Sequence, residues 1–231
     1  EFWTGKKLET ISKIMSLVSR FIFALLVLSS LIALQIQADY SLRRFATINN
    51  VGRPAFLTLV KGASPSITKT LFVTTFYPFE KDAMYMVPHI EKLQEGQTGP
   101  ASILVNATTS DGFPFLWPNE VNFIPPFGEF PYGAITVGTG FLVPGKGKGS
   151  VFFFPFTNSE HTQLGAAQHI VNPSSSEWFY HRAIPVQGFV RDSKYLDLVT
   201  CRAHKPIVGS WKSELVLLSA LDAKATKWNT T

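Results

Sequence analysis

The chain contains one cysteine, Cys201, in 231 residues, and only 16% of its residues are charged. A single thiol excludes an internal disulfide framework. Inside an apolar stretch, such a cysteine reads as a small buried hydrophobe and not as a reactive group. Blocks of Lys and Arg are missing, and no basic stripe is interleaved with aromatics, which argues against nucleic acid as a partner. Also missing are the G-x-S-x-G elbow of serine hydrolases and any H-x-H or H-x-x-x-H pair of the kind that ligates zinc. The five histidines, His89, His161, His169, His181 and His204, are scattered. His181 stands in the most motif-like segment, yet it too reads first as a structural side chain. The glycine-rich segment 138–149 lacks the G-x-x-x-x-G-K-[ST] order of a phosphate loop and leads into a strand, so it is expected to be a hairpin loop.

The one long apolar run is short for a membrane. From Met15 the chain reads "MSLVSRFIFALLVLSSLIALQIQAD", with a cation at Arg20, an apolar run over 21–34, and a small residue, Ala38, at the end. A helix needs about 20 apolar residues to span a bilayer. The run therefore fits a cleaved secretory signal peptide at 15–38 better than a stable membrane anchor. Residues 1–14 have no place in a signal peptide, and Glu1-Phe2 is what the cloning site GAATTC encodes; they are expected to be untranslated or vector-derived. The remaining 193 residues (39–231) carry 17 cations against 14 acids, a net charge of +3 instead of +5.

That portion is rich in Phe, Val, Ile, Thr, Gly and Pro and has almost no 3.6-residue periodicity, so it is expected to be all-β. Only "HIEKLQEG" (89–96) and "SEHTQLGAAQHI" (159–170) could form helical turns. Three segments share a pattern of apolar strand, threonine, loop with Pro and Lys, and second apolar strand: 71–87, 135–154 and 196–218. They align on Thr75, Thr139 and Thr200. Such spacing suggests successive structural units, about 40–100, 101–170 and 171–231. Units of a few strands stacked radially make a β-propeller, which closes with about 4 to 8 blades. Three units are an incomplete ring, so the chain is expected to be truncated at its C-terminus; a β-sandwich is the alternative architecture.

Within the third unit, "HRAIPVQGFVRDSKYLDLVTCRA" followed by "SELVLL" resembles a repeat of the FG-GAP/VCBS type, the blade of integrin-α-like propellers. The resemblance rests on Ile184-Pro185-Val186 before a loop and Tyr195-Leu196-Asp197-Leu198-Val199 after it. It implies a propeller blade, and in that family a D-x-D-x-D-G-x-x-D loop holds calcium. Here Asp192 and Asp197 are the acids that could serve as ligands. With Asp197 in the last ligand position, the earlier ones fall on Phe189, Arg191 and Ser193, and the glycine position on Lys194. Calcium takes 6 to 8 oxygens, so a metal-free turn is expected, with Asp197 accepting backbone hydrogen bonds.

Two N-glycosylation sequons suit an exported chain, at Asn106 and Asn229. A Pro/aromatic stretch, 111–133, places Trp117, Phe127, Phe130 and Tyr132 among prolines. It is expected to be an extended loop over a sheet, packing mostly into the core, although "NEVNFIPP" (119–126) within it, like "GRPAFLTLV" (52–60), offers a further strand to its unit. These readings converge on a secreted, non-enzymatic binding or matrix protein whose partner is an extracellular protein or glycan. The alternatives are a lyase-like carbohydrate-active enzyme on a propeller scaffold and a structural component of a mineralised or cuticular matrix.

Overall fold

A computed structural model describes residues 44–63, 65–75, 82–100, 102–106, 109, 112–140, 148–171, 177–186 and 195–231. Residues 1–43, which include the expected signal peptide at 15–38, therefore lie outside the described residues. So do Asp192 and most of its loop. Two short strands, β1 (Thr47–Asn49) and β5 (Thr98–Pro100), form a parallel pair. Among the described residues, all the other strands fall into three four-stranded antiparallel sheets. The first contains β2 (Pro54–Lys61), β3 (Lys69–Thr75), β4 (Ala83–Val87) and β6 (Ser102–Asn106). The second contains β7 (Val121–Ile124), β8 (Ala134–Gly138), β9 (Val151–Pro155) and β10 (Gln168–His169). The third contains β11 (Phe179–Val186), β12 (Asp197–His204), β13 (Lys212–Ala220) and β14 (Trp228–Thr230). In each sheet the spatial order follows the chain order, and none of the sheets closes on itself. The all-β expectation is met. Among the described residues, one helical turn is present at Ile90–Lys92, a 3-10 turn. The second expected turn, 159–170, instead holds a bridge between Phe156 and Leu164 and then β10.

The core explains the order. β9 reads Val-Phe-Phe-Phe-Pro and is buried along its first four residues. Successive side chains of a strand point to opposite faces, and a continuous apolar run marks a strand covered on both. Phe152 and Phe154, with Val121, Ile135 and Val137, pack against Val60, Phe72, Met84 and Met86 of the first sheet. Val151 and Phe153, with Ile124 and Ala134, pack against Tyr180, Ala183, Leu198, Val216 and Leu218 of the third. The second sheet is thus the middle layer of a stack.

Backbone approach between sheets is closest at their first strands: β2 and β3 lie near β7, and β7 and β8 lie near β11. Hydroxyl and amide groups link them there. Thr58 Oγ1 donates to the Val121 carbonyl at 2.7 Å, Thr74 Oγ1 to that of Asn119 at 3.0 Å, and Thr136 Oγ1 to that of Ala183 at 2.6 Å. Asn119 Nδ2 donates to the Tyr180 carbonyl at 3.2 Å. Gly138 sits where the third sheet comes nearest: a Cβ there would lie 2.5 Å from the His181 carbonyl oxygen. No larger residue fits without moving a strand.

Three details differ from the sequence expectations. β6 pairs with β4, so the first sheet runs past residue 100. The Pro/aromatic stretch is not loop throughout: the strand offered by 119–126 is present as β7, Val121–Ile124, because Pro118 and Pro125 flank it and leave its ladder intact. Its neighbours Phe127 and Phe130 pack on Phe153, with ring centroids 6.0 and 5.0 Å away. Finally, Thr75 and Thr139 play one role: each hydroxyl accepts from the amide across the hairpin, Ala83 at 2.9 Å and Ser150 at 2.8 Å. Thr200 does not. It lies inside β12, and the corresponding hairpin end is His204, paired with Lys212.

Truncating Phe152, buried between the first two sheets, should cost about 3 to 5 kcal/mol in a denaturant-unfolding series. Leu57→Ala, at a position 65% exposed, should shift the same midpoint by no more than about 0.5 kcal/mol.

Candidate functional site

β12 and β13 pair without interruption from Asp197 and Ser219 to His204 and Lys212. Their far end carries a hairpin turn, 205–211, with Gly209 at φ 116. Ile207 and Val208 at its tip are 80% and 87% exposed, and Trp211 is 53% exposed. The Lys205 ammonium lies 4.6 Å from the Trp211 ring centroid, within cation–π range.

Beside the turn, an aromatic and charged cluster fixes the end of β11. Arg202 stacks 4.4 Å from the Trp178 ring centroid. Its Nε and Nη2 donate to Glu214 Oε2 at 3.0 and 2.6 Å. Burial by itself would lower the Arg202 pKa, but the hydrogen bonds to Glu214 and Tyr180 more than offset it and hold the guanidinium charged. His204 Nδ1 donates to the Glu177 carbonyl at 3.0 Å, and its Nε2 stands 3.6 Å from the Glu177 carboxylate. The Trp178 face is therefore occupied by Arg202, and the more open aromatic is Trp211.

On the outward face of the third sheet, Phe179, His181, Cys201, Ser213 and Leu215 line an open depression of about 260 Å³. His181 and Cys201, separate in sequence, meet here. The lining is mostly apolar, which suits contact with another protein's side chains more than capture of a small polar molecule.

Of the calcium candidates, Asp192 is outside the described residues. Asp197 is 2% exposed at the start of β12, paired with Val186 and Ser219. Among the described residues no three His, Cys, Asp or Glu side chains are grouped to hold a metal. The remaining histidines are dispersed. His89 lies 3.6 Å from Glu91. His169 packs 4.0 Å from the Phe113 ring. His161 is buried, donates to the Lys61 carbonyl at 2.6 Å and stacks on Phe156 at 4.3 Å. Asn229 is exposed on β14, and Asn106 ends β6. Tyr132 packs against the core between the first two sheets. Trp117 adopts φ 46 and donates its backbone N–H to Asp82 Oδ2 at 2.9 Å.

Sequence reasoning missed the Trp178–Arg202–Glu214 cluster, because its members come from two neighbouring strands and the residues before a third. The 205–211 turn is the loop with Pro and Lys read within 196–218, but the exposure of Ile207 and Val208 at its tip comes from the structure. No helix among the described residues is long and apolar enough to cross a membrane. No protein family, curated protein or solved structure matches the chain.

Asp82 is a buried carboxylate, 7% exposed, and its Oδ1 has no hydrogen-bond partner among the described residues. Burial raises its pKa above 3.8, against the lowering effect of the Trp117 N–H. The folded state thus holds this proton more tightly than the unfolded chain does. Its contribution to stability is greatest below pH 3.8 and declines as pH rises from there through the raised folded value. Asp82→Asn keeps an acceptor for Trp117 and should remove that decline. Melting temperatures of both proteins measured from pH 3 to pH 7 should converge at the acid end and diverge, variant above parent, toward neutrality.

Proposed function

We propose that the protein is a secreted, non-enzymatic extracellular binding or matrix component, built from consecutive blades of a β-propeller-like fan. The observation that carries the architectural part is the repetition of one unit. Three successive four-stranded meanders have the same strand order, stack face to face, and come closest along β2, β7 and β11. In a fan those three strands form the inner edge and β6, β10 and β14 the rim. The FG-GAP-type frame around Ile184 and Leu196 fits this reading, since its two halves are β11 and the start of β12.

The binding part rests on the 205–211 turn. Exposed apolar side chains cost nothing in stability when removed from a loop tip, so Ile207, Val208 and Trp211 are best accounted for by a partner that covers them. Lys205 and Lys212 flank them. An extracellular protein presenting an apolar and acidic surface is the partner this chemistry favours.

The test is expression of residues 15–231 in a secretory host. The chain should appear in the medium with its N-terminus at residue 39, and Asn106→Gln should lower its mass by one glycan. The purified chain is then presented to immobilised collagen, laminin, heparin and chitin. Saturable retention on a protein ligand, weakened at least tenfold by Ile207→Ser with Trp211→Ala, supports the reading. Retention on a glycan alone replaces the protein partner by a saccharide. Depolymerisation of a polysaccharide, or retention within the cells, overturns it.

A further inference from the structure

One turn closes the joint between the first two sheets, and the same turn recurs at the joint between the second and third. In 158–162 (Asn-Ser-Glu-His-Thr), the His161 N–H donates to the Asn158 carbonyl at 3.2 Å and the Thr162 N–H to Asn158 Oδ1 at 3.0 Å. In 222–226 (Asp-Ala-Lys-Ala-Thr), the Ala225 N–H donates to the Asp222 carbonyl at 3.1 Å and the Thr226 N–H to Asp222 Oδ1 at 3.0 Å. The threonine hydroxyl closes each turn, accepting from Asn158 Nδ2 at 2.8 Å in one and donating to Asp222 Oδ2 at 2.7 Å in the other. His161 and Ala225 both have left-handed backbones, at φ 57 and φ 51, and both are 1% exposed. The second residue of each turn binds the preceding sheet. The Ser159 carbonyl accepts from the Ala63 N–H at 2.8 Å, and the Ala223 carbonyl from the Glu129 N–H at 3.2 Å. Gly62 and Gly128 stand just before these donors, and a Cβ on them would lie 3.2 and 2.5 Å from the accepting oxygen. The two joints are built alike, and a histidine stands in one where an alanine suffices in the other.

The imidazole adds what the alanine joint lacks. Its Nδ1 donates to the Lys61 carbonyl at 2.6 Å, so in the neutral ring Nε2 carries the lone pair, and that atom is buried without a partner. The ring stacks on Phe156 at 4.3 Å and lies 5.2 Å from Phe123. Charged groups of the surrounding elements leave it unpaired. Glu160 of its own turn and Lys61 of β2 are exposed, and Lys69 of β3 is half-buried. Glu91 accepts from the Lys69 N–H. β7 and β9 bring only phenylalanines to the ring. A second proton therefore puts an N–H and a positive charge where the closed joint offers no acceptor. Attraction to the Phe156 face offsets only part of the hydration that a buried cation loses. Opening the joint returns the ring to water.

We propose that His161 is a pH-sensitive latch between the first and second sheets. In mildly acidic surroundings its protonation releases the 157–163 turn from Lys61 and Ala63 and loosens that joint. The joint between the second and third sheets, with Ala225 in the corresponding place, stays closed. The sign follows from linkage. The open form hydrates a proton for which the closed form has no acceptor, so the closed form is favoured above the range in which exposed histidines titrate, about pH 6.5, and loses ground below it. The latch depends neither on the propeller-like reading nor on the 205–211 turn.

Hydrogen exchange of the purified chain, followed by NMR at pH 7 and pH 5 and corrected for the intrinsic pH dependence of exchange, reads the joints separately through the Ala63 and Glu129 amides. Protection of Ala63 should fall at least about tenfold from pH 7 to pH 5, and that of Glu129 by less than about twofold. The second joint is a sound reference, because hydrogen bonds from Thr226 hold the Asp222 carboxyl below its ordinary value of 3.8, and it stays ionised over this range. His161→Asn keeps a donor for Lys61 and suits the left-handed backbone. It should leave Ala63 equally protected at the two pH values. His161→Ala copies the second joint and should do the same with unchanged circular dichroism; should that chain fail to fold, the Asn variant decides alone. Equal Ala63 protection at both pH values in the parent, a fall that persists in His161→Asn, or an equal fall at Glu129 overturns the proposal.

Discussion

Everything in this fold depends on a middle sheet that is apolar on both faces. Phe152, Phe153 and Phe154 stand on adjacent residues of one strand, and their rings must go alternately to opposite sides. Each fully buried ring of this size contributes roughly 1.5 to 3 kcal/mol relative to exposure, so neither face can be left to water. The first and third sheets meet that demand in different ways. One supplies Met84 and Met86, whose unbranched side chains fill the spaces between Phe115, Phe152 and Phe154. The other sets Tyr180 among Ala183, Ala220 and Ala225, where small residues let the sheets come close.

Apolar packing alone would allow the sheets to slide over one another. The hydrogen bonds from Thr58, Thr74 and Thr136 to carbonyls of the following sheet remove that freedom, because a hydroxyl bonded to a particular carbonyl fixes register as well as distance. Each bond adds only about 1 kcal/mol net, but a slipped register would bury the same hydroxyls unpaired at a cost of about 1 to 3 kcal/mol. The ties gather on the first two strands of each sheet. The stack is therefore most closely specified along one edge.

The all-β class and the repeated hairpins were legible in the sequence because they are local: the lack of 3.6-residue periodicity, β-branched and aromatic content, and turn residues between strands. Thr75 and Thr139 could be matched by eye since the same hydroxyl chemistry closes both hairpins. The third unit misled that comparison, because the hairpin end needs only a residue that can pair across the ladder, and His204 meets the need as well as a threonine does. The stretch 111–133 looked mostly like a loop, with a strand offered only by 119–126, because its prolines are conspicuous. They stand outside β7 and do not interrupt its ladder, and four residues between them suffice for a strand. Contacts such as Thr58 with Val121, or Arg202 with Trp178, are set by how sheets and strand ends meet, and no pattern within a single segment encodes them. The depression beside His181 and Cys201 was hidden for the same reason. Its lining comes from three strands that only the sheet order brings together.

The architecture also separates two tasks that often compete for the same residues. Sheet faces carry register and apolar area, so their side chains answer to the neighbouring layer. Loops that do not pack on a sheet, unlike the segment holding Phe127 and Phe130, answer to none of these constraints, and they can change without disturbing the stack. The 205–211 turn is the clearest case: it extends from the longest uninterrupted strand pairing of the third sheet, so a rigid ladder supports a tip whose own residues are almost fully exposed. Arg202 strengthens that support by joining Trp178, Tyr180 and Glu214 at the base of the turn. Under the proposed binding role, a tip held this way would lose little freedom on being covered, and preorganisation of that kind would let a few apolar side chains give measurable affinity.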